Sequence, residues 1–158
     1  RKENVYTNAM IFIKDIEKIV LHEKGFYFGN KYTVLVPYNE YGKFLIRNNY
    51  EIRNSIYLRI KEMYDVEISD FRLADLKLDE DNYIVIMPLI NMETLARLHY
   101  YFEENDNYKN IYIFGLKEYE KSIKQYIPKC NYKSLNKEKV NDLLLRFKQI
   151  GDDEAENL

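Results

Sequence analysis

Val140, Leu143, Leu144, Phe147 and Ile150 recur at the spacing that places side chains on one face of a helix. Asn136 can cap that segment, Leu135 and Val140 can form a hydrophobic staple across its first turn, and Gly151 can stop it. The pattern predicts an amphipathic C-terminal helix over 137–150, with an acidic, disordered tail over 152–158. At the other end, Phe12, Ile16, Ile19 and Val20 fit a helix over 10–24 that Gly25 would close. An alternative makes 9–14 a strand, with Asp15 capping a shorter helix. Residues 1–9 read as a vector-derived or disordered leader ahead of Met10.

Between these ends the period changes. Phe26-Tyr27-Phe28, a Gly29-Asn30 pair and the run 31–36 predict a hairpin over 26–36 with a two-residue turn, ended by Pro37. Phe44-Leu45-Ile46 reads as a third strand, followed by a turn at Asn48-Asn49. Ile52, Ile56, Ile60 and Met63 favour a helix over 54–64 capped by Asn54, although Ile56, Leu58 and Ile60 also alternate as in a strand. The runs 71–78 and 83–89 predict a second hairpin around Asp79-Glu80-Asp81-Asn82. Asn91 opens a helix to about Glu104, on which Leu95, Leu98, His99 and Phe102 share a face. Ile111–Phe114 reads as a buried strand leading to Gly115. A further helix carries Leu116, Tyr119, Ile123 and Tyr126 inward, ahead of Pro128. The expected fold is α+β: one domain over 10–151, a mostly antiparallel sheet built from the hairpins 26–36 and 71–89, and four to five helices.

Composition supports this frame. At 158 residues a single core can bury about 70% of the surface the unfolded chain exposes, so no disulfide or metal staple is needed. The longest apolar runs fall short of the ~20 residues that span a bilayer, so no membrane segment is expected. Cys130 is the single cysteine, which fits a reducing compartment and a cytoplasmic location. Ile, Asn, Lys and Tyr make up 66 of the 158 residues. All four have A/T-rich codons, so a low-GC coding sequence accounts for the Tyr-rich composition without selection for binding.

The chemistry-bearing residues are sparse. Five glycines are scattered along the chain and form no phosphate-cradling loop. The two histidines, His22 and His99, lie outside any metal-ligand spacing. His99 reads as an imidazole packed against the core with a backbone partner. A catalytic role would require a nucleophile or carboxylate brought from another segment. Cys130 lies between lysines that can favour its thiolate. The acids of 79–82 read as a solvated turn without the glycine and distal glutamate of a calcium loop. No cofactor or metal is expected, and the balance leans away from an enzyme.

Charge is arranged in blocks. Residues 31–61 hold six cations and two acids, 62–83 hold eight acids and two cations, and 109–148 hold ten cations and four acids. Such blocks can steer a charged partner if they form patches, and cancel if they interleave. Within the first block, Tyr38, Tyr41, Lys43, Arg47, Tyr50 and Arg53 form the expected contact surface, on loops and strand ends. The leading functional expectation is a small protein-interaction module of the inhibitor, immunity or adaptor kind, with a protein partner. The second is nucleic-acid binding through 31–61, joined by 117–139, although the sequence pI of about 5.8 argues against a dedicated binder. The third is an enzyme with a site around His99 or Cys130.

Overall fold

A computed structural model describes residues 25–28, 34–37 and 40–156, with side chains over 40–151. In chain order the elements are β1 (Gly25–Phe28), β2 (Val34–Pro37), α1 (Glu40–Arg47), α2 (Asn49–Met63), β3 (Glu67–Ile68), β4 (Leu76–Lys77) and β5 (Asn82–Met87). There follow β6 (Ile90–Asn91), α3 (Met92–Glu104), β7 (Asn110–Leu116), a 3-10 turn at Lys117–Tyr119, α4 (Glu120–Tyr126), β8 (Asn131–Leu135) and α5 (Lys137–Glu156). The expected leader, the helix over 10–24 and the Gly29-Asn30 pair lie outside the described residues. Among those described, no helix is long and apolar enough to cross a membrane.

The expected α+β fold is present, as two sheets. β1, β2 and β6 form an antiparallel sheet, and the second runs β3-β4-β5-β7-β8. Its first half is antiparallel and its second half parallel. The parallel half exists because α3 and α4 provide crossovers long enough to return the chain to the same end of the sheet. Tyr83 through Met87 are all buried, the near-continuous apolar run of a strand covered on both faces. On β7, Ile111 and Ile113 are fully buried. Their neighbour Phe114 points to the opposite face, since strand side chains alternate, and lies with Ile56, Ile60 and Leu143 of α2 and α5. Burying each such Ile or Leu contributes about 1.5–3 kcal/mol relative to exposure.

Contacts between helices define the layers. The His99 ring of α3 stacks on Tyr126 of α4 at 4.1 Å, and Arg146 of α5 pairs with Glu62 of α2 at 2.9 Å. Arg53 fastens α2 to the sheet by donating to the Ile86 carbonyl at 2.8 Å. Asp75, 3.5 Å from the same guanidinium, accepts the Ile86 N–H at 2.7 Å. The expected caps form: Asn91 accepts from the Thr94 N–H and Asn136 from the Lys139 N–H.

Several local expectations are corrected. Phe44-Leu45-Ile46 lies in α1, where Tyr41 and Leu45, four residues apart, are buried and Lys43 and Arg47 are exposed. Three adjacent apolar residues carry no period of their own, and the helical stripe starts earlier, at Tyr41. The Asn48 turn is present, but at negative φ, with its side chain donating to the Phe44 carbonyl at 2.8 Å. α2 begins at Asn49, so Asn54 lies inside the helix and donates to the Tyr50 carbonyl instead of capping. Ile52, Ile56 and Ile60 are buried on its inner face, whereas Met63 is exposed.

The strand expected over 71–78 shrinks to β4, because Ser69 holds the Phe71 N–H in a turn at 2.9 Å. Phe28 stands opposite Val34, where a two-residue Gly29-Asn30 turn would set it opposite Lys31. Gly25 opens β1. Gly151 does not stop α5, which continues to Glu156. β8 has no counterpart among the expected elements. Its sequence, Asn-Tyr-Lys-Ser-Leu, offers little apolar alternation because it is the outer strand of its sheet.

Candidate functional site

Of the six residues expected to form a contact surface, the five that are described are placed by helices, not by loops and strand ends, and they divide. Tyr38 lies outside the described residues. Tyr41 is buried in α1, its ring 6.3 Å from Phe44 and 5.2 Å from the Lys137 ammonium. Burial, with Glu118 adding to it, pushes its hydroxyl up to about 12. Arg53 is engaged by the Ile86 carbonyl and Asp75. Lys43, whose ammonium meets Glu40 at 3.2 Å, Arg47 and Tyr50 remain exposed, Tyr50 by 74%.

His99 is half-buried, with its ring stacked on Tyr126, and it meets a side chain instead of the expected backbone partner. Its imidazole borders an open concavity of about 540 Å³ and meets the Glu103 carboxylate at 3.1 Å. Its Nδ1 is buried, with no hydrogen-bond partner among the described residues. Glu103 lies one turn along the same helix, so the carboxylate from another segment that catalysis would require is not what the histidine meets. Cys130 is buried, and that burial pushes its thiol up to about 11. Lys124, which donates to the Cys130 carbonyl at 2.8 Å, offsets this only in part. The thiol is therefore protonated near neutrality, contrary to the thiolate that its lysine neighbours suggested. Asp79 braces its turn by accepting from the Asp81 N–H and the Asn82 side chain.

A different place gathers the charge. The carboxyl ends of β7 and β8, the first turns of α5 and the second half of α2 enclose a groove of about 490 Å³. Ligands of open sheets with parallel strands characteristically bind outside those carboxyl ends. The floor is apolar: Ile56, Ile60, Phe114, Leu135 and Leu143. Met63 and Tyr64 stand at its lip, 54% and 47% exposed. Around this floor lie four cations, Arg59, Lys117, Lys133 and Lys139. Phe114 and Lys133 are register partners on adjacent strands, which sets that ammonium beside the apolar floor.

The four cations come from both basic blocks, Arg59 from 31–61 and the three lysines from 109–148. At this corner the two blocks therefore meet. Arg59 is partly neutralised by Glu62 at 3.3 Å, a carboxylate shared with Arg146. Among the described residues, the side chains of Lys117, Lys133 and Lys139 make no ion pair or hydrogen bond. The sequence pointed to these lysines only as part of a dense stretch, 117–139, since nothing local ties them to Arg59.

Comparison with known proteins assigns no family. The chain matches no family model, no curated protein and no solved structure at a significant level. The geometry of the groove therefore carries the functional reading.

Proposed function

We propose that this chain is a small cytoplasmic protein-interaction module, of the inhibitor, immunity or adaptor kind, that docks an acidic partner segment in the groove between α2 and the β8–α5 corner. The observation that carries the reading is the convergence of Lys117, Lys133 and Lys139, unpaired among the described residues, with Arg59 around an apolar floor. A purely electrostatic surface would not need that floor, and a purely apolar one would not be ringed by cations. Together they match a segment with one or two apolar anchors flanked by carboxylates, the anchors supplying affinity and the charges supplying register and rate. The exposed Met63 and Tyr64 fit such a lip, because Met adapts to irregular partners and Tyr is favoured at interfaces.

Affinity capture from a lysate of the source cells tests this, using the wild-type chain and a Lys133→Glu/Lys139→Glu variant with and without nuclease. A stoichiometric, nuclease-resistant protein retained by the wild type and lost by the variant supports the proposal. Capture that nuclease abolishes assigns the groove to nucleic acid instead. No stoichiometric partner, or equal retention by the variant, overturns it.

A further inference from the structure

β8 is the last strand in its sheet, and among the described residues only β7 pairs with it. Lys133, Ser134 and Leu135 of this strand help to line the same groove, and both Lys133 and Ser134 are exposed. An outer strand presents a row of backbone N–H and C=O groups that an extended chain can pair with. We infer that the acidic partner segment enters as an extended strand that adds to β8, continuing the sheet β3-β4-β5-β7-β8 by one strand. This rests on the groove reading above and specifies how the partner is held.

Two features favour such an occupant over a second copy of this chain. Pairing β8 with another β8 would bring two sets of Lys117, Lys133 and Lys139 together, and like charges facing one another are destabilising. An acidic strand meets the same edge with charge of the opposite sign. The side-chain period of two also matches the groove: alternate residues of an added strand face the cations and floor, while the others face away. Lys133 on β8 and its neighbour Phe114 on β7 already show that pairing of a cation with an apolar surface on one face. Backbone bonds would hold the segment, and the groove would select for acidic and apolar side chains at every second position, on the one face that meets it.

Fluorescence anisotropy of the full chain with the labelled eight-residue peptide Glu-Ser-Leu-Ser-Glu-Ser-Leu-Ser, which sets glutamate and leucine on one strand face, provides the test. Two further peptides carry the same sequence N-methylated at alternate residues, one in each phase. In an added strand only every second N–H points at the neighbouring edge. One methylated phase should therefore bind at least 10-fold more weakly than the parent, and the other about as well. The exposed substitution Lys133→Glu should weaken the parent peptide by at least 10-fold while leaving the circular dichroism spectrum unchanged. Equal binding of the two methylated phases overturns strand addition. If Lys133→Glu still weakens the parent in that case, the groove reading survives without it. Failure of the parent peptide to bind at all overturns both. A dimer of the chain alone that dissociates on Ser134→Pro assigns the edge to a second copy and also overturns the inference.

Discussion

Glu62 of α2 holds Arg146 of α5 at 2.9 Å, and the same carboxylate faces Arg59 at 3.3 Å. One acid thus links the two helices that flank the groove and restrains one of the groove's four cations. Both partners are substantially exposed, and exposed pairs contribute about 0–1 kcal/mol. Glu62→Gln should therefore cost less than about 1 kcal/mol in urea denaturation. It should also tighten the glutamate–leucine peptide by about 2–5-fold at low salt, an advantage that shrinks as salt screens exposed charges. Weaker binding by the variant would mean that Glu62 organises the site rather than masking it.

Gly115 leaves room for Tyr132. A Cβ at Gly115 would collide with the Tyr132 hydroxyl and come within 3.2 Å of the Met87 carbonyl. That hydroxyl donates to the Leu116 carbonyl at 2.6 Å. Gly115→Ala should destabilise the fold by about 1–3 kcal/mol through overpacking, and Tyr132→Phe by about 1–2 kcal/mol through loss of a largely buried hydrogen bond. Because Tyr132→Phe removes the atom that the new Cβ meets, the double variant should be more stable than the sum of the single effects predicts. A double-mutant cycle by chemical denaturation measures this coupling. Strict additivity would show that the Met87 carbonyl, not the hydroxyl, is the obstruction.

The acid limb of stability has an identifiable contributor. The Tyr83 hydroxyl donates to Asp70 at 3.1 Å, and this bond is the leading cause holding the Asp70 carboxyl below its ordinary value of 3.8. A depressed carboxylate contributes stability that is fully present above its ordinary value and is lost as pH falls through its lower, folded value. Tyr83→Phe should therefore flatten the loss of stability below about pH 4, measured as denaturation midpoint against pH. An unchanged acid slope in the variant would remove Tyr83 as the cause.

Cys130 should be inert in the native protein. Its thiol is buried and pushed up to about 11 by that burial, with Lys124 countering only in part. Reaction with a thiol reagent at pH 8 should follow unfolding, slow in native buffer and immediate in denaturant. Rapid labelling of the folded chain would show an accessible thiolate and return Cys130 to consideration as a nucleophile.

What the sequence made legible follows from how local each signal is. The caps at Asn91 and Asn136 use side chains that act within one turn, and both form. The buried stripe Ile52, Ile56 and Ile60 was readable because its period is set within one helix. Phe44-Leu45-Ile46 misled because three neighbouring apolar residues define neither period. β8 was hidden because an outer strand with Lys133 and Ser134 exposed carries no apolar alternation. The groove was illegible for a related reason. Arg59 and Lys133 become neighbours only through the crossovers that order β5, β7 and β8, and no local pattern encodes that order. Tyr41 and Arg53 belong to the expected contact surface by residue type and by an expected place on loops and strand ends; the fold uses the one in its core and the other as a tie between α2 and β5.

The central claim is that the groove, not the cation-bearing face of α1, receives an acidic partner. Amide chemical-shift mapping of the isotope-labelled chain during titration with the glutamate–leucine peptide tests it most directly. The account predicts perturbations concentrated at Arg59, Lys117, Ser134 and Lys139, fading as salt is raised. Perturbations confined to Lys43, Arg47 and Tyr50, with the groove silent, would contradict it.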